Sequence, residues 1–252
     1  MVLPLYDDNS DRTITPIVNY AFIALNIIVF VFLQQLGTNN QFTYAFSTVP
    51  LEITTGHDIV TQGRMVIDPE THQRLLLPGL GVTPVSVYLT LFTSMFMHGS
   101  IMHIAGNMLF LWIFGDNIED RLGHVRYVIY YLLCGVLASL AHVFTTAAFA
   151  TDQSSMIIPS LGASGAISGV MGGYILLHPT RRVTVILFRF ITDVPAYVAI
   201  GIWFAFQLIY GIFGSQQGGV AYAAHVGGFI AGLVLIKLFD IGHNRRSMPS
   251  GY

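Results

Sequence analysis

Acidic and basic side chains are bunched along the chain, and the long runs between the bunches carry none: residues 13–51, 75–115, 127–151, 153–180 and 194–236 contain no Asp, Glu, Lys or Arg. A helix needs about 20 apolar residues to cross a hydrocarbon core about 30 Å thick. Each run can therefore hold at least one span or a short one. The last can hold two, divided by the polar, glycine-rich stretch Gly214-Ser215-Gln216-Gln217-Gly218-Gly219. The pattern predicts six helices, over 17–36, 100–115, 125–149, 161–177, 194–213 and 221–239. The apolar stretch 84–115 would be about 48 Å long as a single helix, more than one span can use. It is expected to break at His98-Gly99-Ser100, leaving 85–97 as a hydrophobic segment in or near the interface.

Composition agrees with a membrane protein. Hydrophobic residues make up 54% of the 252, charged residues only 10%, and mean hydropathy is +0.65, whereas a soluble domain carries about a quarter charged residues. So apolar a chain is not disordered, and a net charge of -2 leaves no basic field for nucleic acid. Asp7, Asp8 and Asp11 precede the first apolar run, so that run reads as a retained span and not as a cleaved signal peptide. Six spans put both termini on one side. That side holds Arg12, Arg121, Arg126, Arg181, Arg182, Arg189, Lys237, Arg245 and Arg246, and the other only Arg64 and Arg74. Basic residues stay inside, so both termini are expected in the cytoplasm. The division expected is a cytoplasmic N-terminal segment 1–15, a six-span domain 16–240 with a long extracytoplasmic loop 37–99, and a cytoplasmic tail 241–252. Cys134 is the only cysteine and reads as a buried thiol.

Polar residues retained inside spans are candidates for function, because each costs free energy there. Asn19 and Asn26 are expected to hydrogen-bond across helices, and His142 and His178, near helix ends, to cap or to sit at the interface. Gly165, Gly169 and Gly173 recur every fourth residue in the fourth helix, as do Gly228 and Gly232 in the sixth. Faces without side chains let two backbones approach closely. Ser164 lies about three residues, roughly 5 Å, below the outer start of the fourth helix. Free backbone N–H groups and a partial positive charge there suit an oxyanion. His225 is about one turn below the outer start of the sixth helix, at matching depth. On two helices built to touch, it is best explained as the general base of Ser164. His103 and Asn107, one turn apart on the second helix, share a face at comparable depth. They fit donors to an oxyanion better than metal ligands, since no carboxylate or fourth ligand lies at the depth of His98, His103 and His225. No Asp or Glu is placed to orient His225, which predicts a Ser-His dyad and not a triad.

These residues carry a resemblance. His98-x-Ser100-x-x-His103-x-x-x-Asn107, Glu119-x-x-x-Gly123, Gly162-x-Ser164-Gly165 and Ala224-His225-x-x-Gly228-x-x-x-Gly232 stand in this order from about Asp11 to Lys237. The chain resembles the rhomboid intramembrane serine proteases. The resemblance implies an all-α, polytopic six-transmembrane-helix bundle, with Ser164 as nucleophile and His225 as general base. His103, Asn107 and the Ser164 amide would surround the oxyanion, and the first extracytoplasmic loop would form a half-embedded hairpin. It also implies that Glu119 and Gly123 are a structural pair at the cytoplasmic end of the second helix. Ser168 stands where some members stack an aromatic residue on the catalytic His, and Leu89-Thr90 where some carry Trp-Arg.

The activity expected is hydrolysis of a peptide bond in or near the outer end of a transmembrane helix that unwinds locally. His98, Ser100, His103, Asn107 and Ser164 would line a hydrated pocket open to the outside. The expected partners are single-span or other transmembrane proteins and the lipid bilayer, with no metal, nucleotide or other cofactor. An inactive rhomboid-like binder of membrane helices is the alternative, and such proteins usually lack the nucleophile or the base. A transporter or channel would need ionisable residues near mid-membrane or broken helices in symmetric halves. The short chain suits a prokaryotic plasma membrane.

Overall fold

The computed structural model describes residues 2–67, 74–150, 153–187, 189–213 and 221–241. The expected turn at 214–219 and the tail from 242 onward lie outside the described residues. In chain order the elements are β1 (Val2–Asp7), α1 (Ile17–Ile28, continued by a wider turn over Val29–Leu33), α2 (Asn40–Ala45), α3 (Pro50–Thr55), β2 (Arg64–Ile67), β3 (Arg74–Leu77), α4 (Thr90–Thr93), α5 (Ile101–Leu122), α6 (His124–Phe149), α7 (Gln153–Met156), α8 (Ser164–Leu177), β4 (Arg182–Leu187), β5 (Phe190–Pro195), α9 (Ala196–Phe213) and α10 (Tyr222–Phe239).

Helices dominate, and α1, α5, α6, α8, α9 and α10 fall in the stretches where the six helices are expected. Of these, α6 and α10 are long and apolar enough to cross a membrane. Val87–Phe96 and α5 form a pair bent by 80° at the His98-Gly99-Ser100 break, and Ile17–Leu33, Ser164–Leu177 and Ala196–Ile212 are shorter apolar helices. The second helix runs further than its apolar stretch, to Leu122. It keeps Asp116, Asn117 and Glu119 buried because each finds partners.

Glu119 accepts the backbone N–H groups of Val18 and Asn19 at 2.9 and 2.7 Å, satisfying the first turn of α1, which has no side-chain cap of its own. Asn19 donates to the Leu111 carbonyl and accepts from the Tyr127 hydroxyl, so α1, α5 and α6 are pinned at one buried point. Asn26 does not bridge helices as expected. Its amide turns back to the Phe22 carbonyl of its own helix. Gly123, at φ +75°, makes the sharp turn from α5 to α6.

The glycine faces of α8 and α10 pack as tightly as their spacing implies. A Cβ at Gly228 would collide with the Gly165 carbonyl oxygen, and one at Gly232 with the Gly169 backbone. Tyr130 of α6 closes this seam, its hydroxyl lying 2.7 Å from the Gly169 carbonyl and 3.1 Å from that of Gly232.

The expectation of an all-helical chain misses a three-stranded antiparallel sheet of order β1-β4-β5. Val2 faces Leu187 and Asp7 faces Val183, and β5 runs without interruption into α9. The segment expected to be a cytoplasmic N-terminal stretch is thus anchored to the rest of the chain by strand pairing. The strand alternation is visible in β4, where Val183 and Val185 are buried. In β1 it is obscured by Pro4 and by a register shift between Pro4 and Tyr6. A second, two-stranded sheet of β2 and β3 lies in the first long loop.

Candidate active site

The approach to α8 is fixed before the helix begins. Thr48 and Ser160 exchange backbone hydrogen bonds, and the Gly162 N–H donates to the Ser94 carbonyl at 2.9 Å. Gly162 adopts φ +123°, a conformation that L side chains rarely enter, and a Cβ there would lie 2.8 Å from His103 Nε2. Glycine is needed on both counts. The helix starts later than its apolar run implies, because this turn consumes Leu161 to Ala163. Ser164 is therefore the first helical residue and does not sit one turn inside. The leading N–H groups of a helix lack intrahelical partners, so Ser164 stands among backbone donors.

His225 lies in the first turn of α10, and its Nε2 is 2.8 Å from Ser164 Oγ. The glycine contact between α8 and α10 brings the two side chains to the same level. The other ring nitrogen, Nδ1, is 2.7 Å from Oε1 of Gln207 on α9. Trp203, one turn earlier on α9, has its ring centroid 5.9 Å from that of His225, and Tyr222 meets the ring edge-on at 6.5 Å. Ser168 does not reach the ring and bonds back to the Ser164 carbonyl at 2.6 Å.

A second group of polar side chains gathers at the N-terminal end of α5. Ser100 caps the helix by accepting the His103 N–H. Asn107 donates from Nδ2 to His98 Nε2 at 2.9 Å, so that His98 nitrogen carries no proton. His98 is wholly buried, and its backbone N–H and carbonyl are both bonded to the Gln34 amide at 2.9 Å. The His103 ring packs edge-on to His98 at 5.1 Å. His103 and Asn107 thus both approach Gly162, two residues before Ser164. A small cleft lined by Ser94, Ser139, Ser160 and Ala221 adjoins Ser164.

Glu119, Gly228 and Gly232 are not part of this cluster. Glu119 is at the far end of α5 holding α1, and the two glycines form the α8–α10 contact. Gln34 and Gln207 were not singled out from the sequence. Each is a polar side chain in or beside an apolar helix, the feature that marked Ser164 and His225. Among the described residues no group of three or more His, Cys, Asp or Glu is arranged to hold a metal ion.

The family model described as Rhomboid domain matches residues 86–240, a stretch that includes Ser164, His225, His103 and Asn107. The chain belongs to the rhomboid family. It is 30% identical over 175 residues to Rhomboid protein 1, mitochondrial, of Saccharomyces cerevisiae, covering 66% of this chain and 47% of that one. It is 27% identical over 220 residues to Rhomboid protease GluP of Bacillus subtilis, covering 86% of this chain and 34% of that one. Presenilin-associated rhomboid-like protein, mitochondrial, of Mus musculus is 38% identical over 93 residues, covering 37% of this chain and 23% of that one. The chain spans about half or less of the length of these relatives. Two of these relatives are mitochondrial by name, and the Bacillus subtilis one is named a protease.

Proposed function

We propose that this chain is a serine endopeptidase that cuts transmembrane-helix substrates near the extracytoplasmic face, with Ser164 as nucleophile and His225 as general base. The observation that carries the reading is the 2.8 Å contact between Ser164 Oγ and His225 Nε2, the reach a base needs to take the hydroxyl proton.

Ser164 Oγ attacks the carbonyl carbon of the scissile bond while its proton passes to His225 Nε2. The tetrahedral oxyanion forms beside the Ser164 amide, with His103 and Asn107, which approach Gly162, as its further donors. Donors placed where charge develops stabilise the transition state more than the bound substrate. Collapse breaks the C–N bond as His225 returns the proton to the leaving amine, which departs and leaves an acyl ester on Ser164. Water then attacks that ester, giving its proton to His225; collapse breaks the bond between the acyl carbon and Ser164 Oγ, which takes the proton back from His225, and the second product leaves as a carboxylic acid. The serine-lined cleft beside Ser164 offers water a polar place. The substrate's helix must unwind locally to expose the bond, since helical peptide groups are already paired. The basic asymmetry supports cytoplasmic termini and an outward-facing site.

The test is incubation of the purified protein with a model single-span substrate beside Ser164→Ala and His225→Ala. Cleavage by the wild type alone, with a fluorophosphonate probe attached at Ser164, is expected. Either substitution should cost on the order of 10⁶ in rate, as for a unit whose members act together. Probe attachment at another serine, or cleavage by Ser164→Ala, would overturn the assignment.

A further inference from the structure

We propose that Gln207 is the positioning residue for His225, accepting the Nδ1 proton of the ring so that Nε2 faces Ser164 as a lone pair. The proposal rests on the reading of His225 as the base and deepens it: the pair has a third, neutral partner, supplied by α9.

Both ring nitrogens of His225 are engaged, Nε2 with Ser164 Oγ at 2.8 Å and Nδ1 with Gln207 Oε1 at 2.7 Å. A neutral imidazole carries one proton, and its position decides whether the ring can serve as a base. An acceptor at Nδ1 holds the proton there and leaves Nε2 free to receive that of Ser164. A donor at Nδ1 would enforce the opposite tautomer, with Nε2 protonated and unable to act. The amide oxygen is the end of Gln207 turned to the ring. When Nε2 takes the proton in the reaction, the imidazolium donates from both nitrogens, and Oε1 already receives one of them without having to reorganise. Trp203 flanks the ring from the preceding turn of the same helix, so α9 supplies the contacts on His225 that Ser168 cannot. In soluble triads a carboxylate orients the His. A carboxylate inside a membrane segment is costly, and an amide oxygen does the orienting without a buried charge.

Gln207→Leu keeps the approximate shape and removes the acceptor, whereas Gln207→Glu keeps an acceptor oxygen whether or not its carboxyl is ionised. Two measurements on the purified full chain separate the possibilities. In 15N NMR of the histidine rings, with the His225 signal assigned by its loss in His225→Gln, the wild type and Gln207→Glu should show protonated Nδ1. Gln207→Leu should show a mixture or protonated Nε2. In the cleavage assay, Gln207→Leu should lower kcat about tenfold, the size of one buried neutral hydrogen bond, with KM little changed and with slower fluorophosphonate labelling of Ser164. Gln207→Glu should recover most of the loss.

An unchanged His225 tautomer in Gln207→Leu overturns the proposal. So does an equal loss of kcat in the Leu and Glu variants, which marks packing and not acceptance. The NMR reading does not depend on activity. A wild-type protein that cleaves nothing would therefore count against the proposed function, while the tautomer still decides the role of Gln207.

Discussion

The Tyr174 hydroxyl on α8 donates to the Asp7 carboxylate on β1 at 2.7 Å, joining residues 167 positions apart in the chain. Asn117 donates to the same oxygen at 2.8 Å, and Arg12 pairs with Asp116 beside it at 2.8 Å. The helix that opens with Ser164 is therefore tied at its other end to the first strand.

That tie has a pH signature. Burial pushes the Asp7 carboxyl up to about 6, against the Tyr174 hydrogen bond, which favours the ionised form. A carboxyl raised above its unfolded value binds its proton more tightly in the fold. Its contribution is complete below about pH 4 and is lost as pH rises through about 6. Asp7→Asn should abolish this part of the pH dependence. The wild type should lose up to about 3 kcal/mol relative to the variant between pH 4 and pH 7, read as diverging melting temperatures. Parallel curves would show that Asp7 does not titrate in this window.

His103 and Asn107 should separate in their effects, although both approach the proposed oxyanion. His103→Ala should lower kcat by about 10² with little change in KM or melting temperature. Asn107→Ala should lower kcat similarly and also reduce stability by about 1–3 kcal/mol, because it strands the wholly buried His98 without its Nε2 partner. Turnover and melting measured on the same samples check this, and unchanged turnover in both variants would remove the two side chains from the mechanism.

The α8–α10 seam should tolerate nothing larger than glycine. Gly228→Val drives a side chain into the Gly165 carbonyl and Ala138 and should cost at least 1–3 kcal/mol, moving His225 away from Ser164 at the same time. Gly106→Ala is the contrast. Nothing lies within 4 Å of a Cβ there, so melting temperature should stay the same or rise, as expected for a helical Gly→Ala change. Thermal melts of the two variants in one detergent test the pair.

Orientation can be read with single thiols, because Cys134 is buried. Thr55→Cys in the first loop should react with an impermeant maleimide from outside intact cells, and Ser10→Cys only after lysis. The reverse pattern would invert the basic-residue assignment and with it the outward-facing site.

Charge-free runs marked the helices, and His98-Gly99-Ser100 marked the bend before α5, because both are local properties of the chain. The level of His225 relative to Ser164 was legible because both lie near the starts of helices with matching glycine repeats. What lay beyond the sequence depended on partners distant in the chain. Asn19 and Asn26 look equivalent, yet only Asn19 finds another helix. Strand β1 is six residues long, contains a proline and pairs with a segment some 180 positions later. Gln207 is one amide in an apolar helix, and its bearing toward His225 depends on the rotation of α9 against α10. The start of α8 moved because the turn at Gly162 is a conformation that composition does not reveal.

The pairing of Val2 with Leu187 also sets an order of assembly. A ribosome adding about 5–20 residues per second delivers the partner strand roughly ten to forty seconds after the first strand emerges. Through that interval the leading segment has no edge to dock on, while the early helices are already entering the bilayer. Strand β1 can therefore close only once β4 exists, as a late clasp that forms after some 180 further residues have been made.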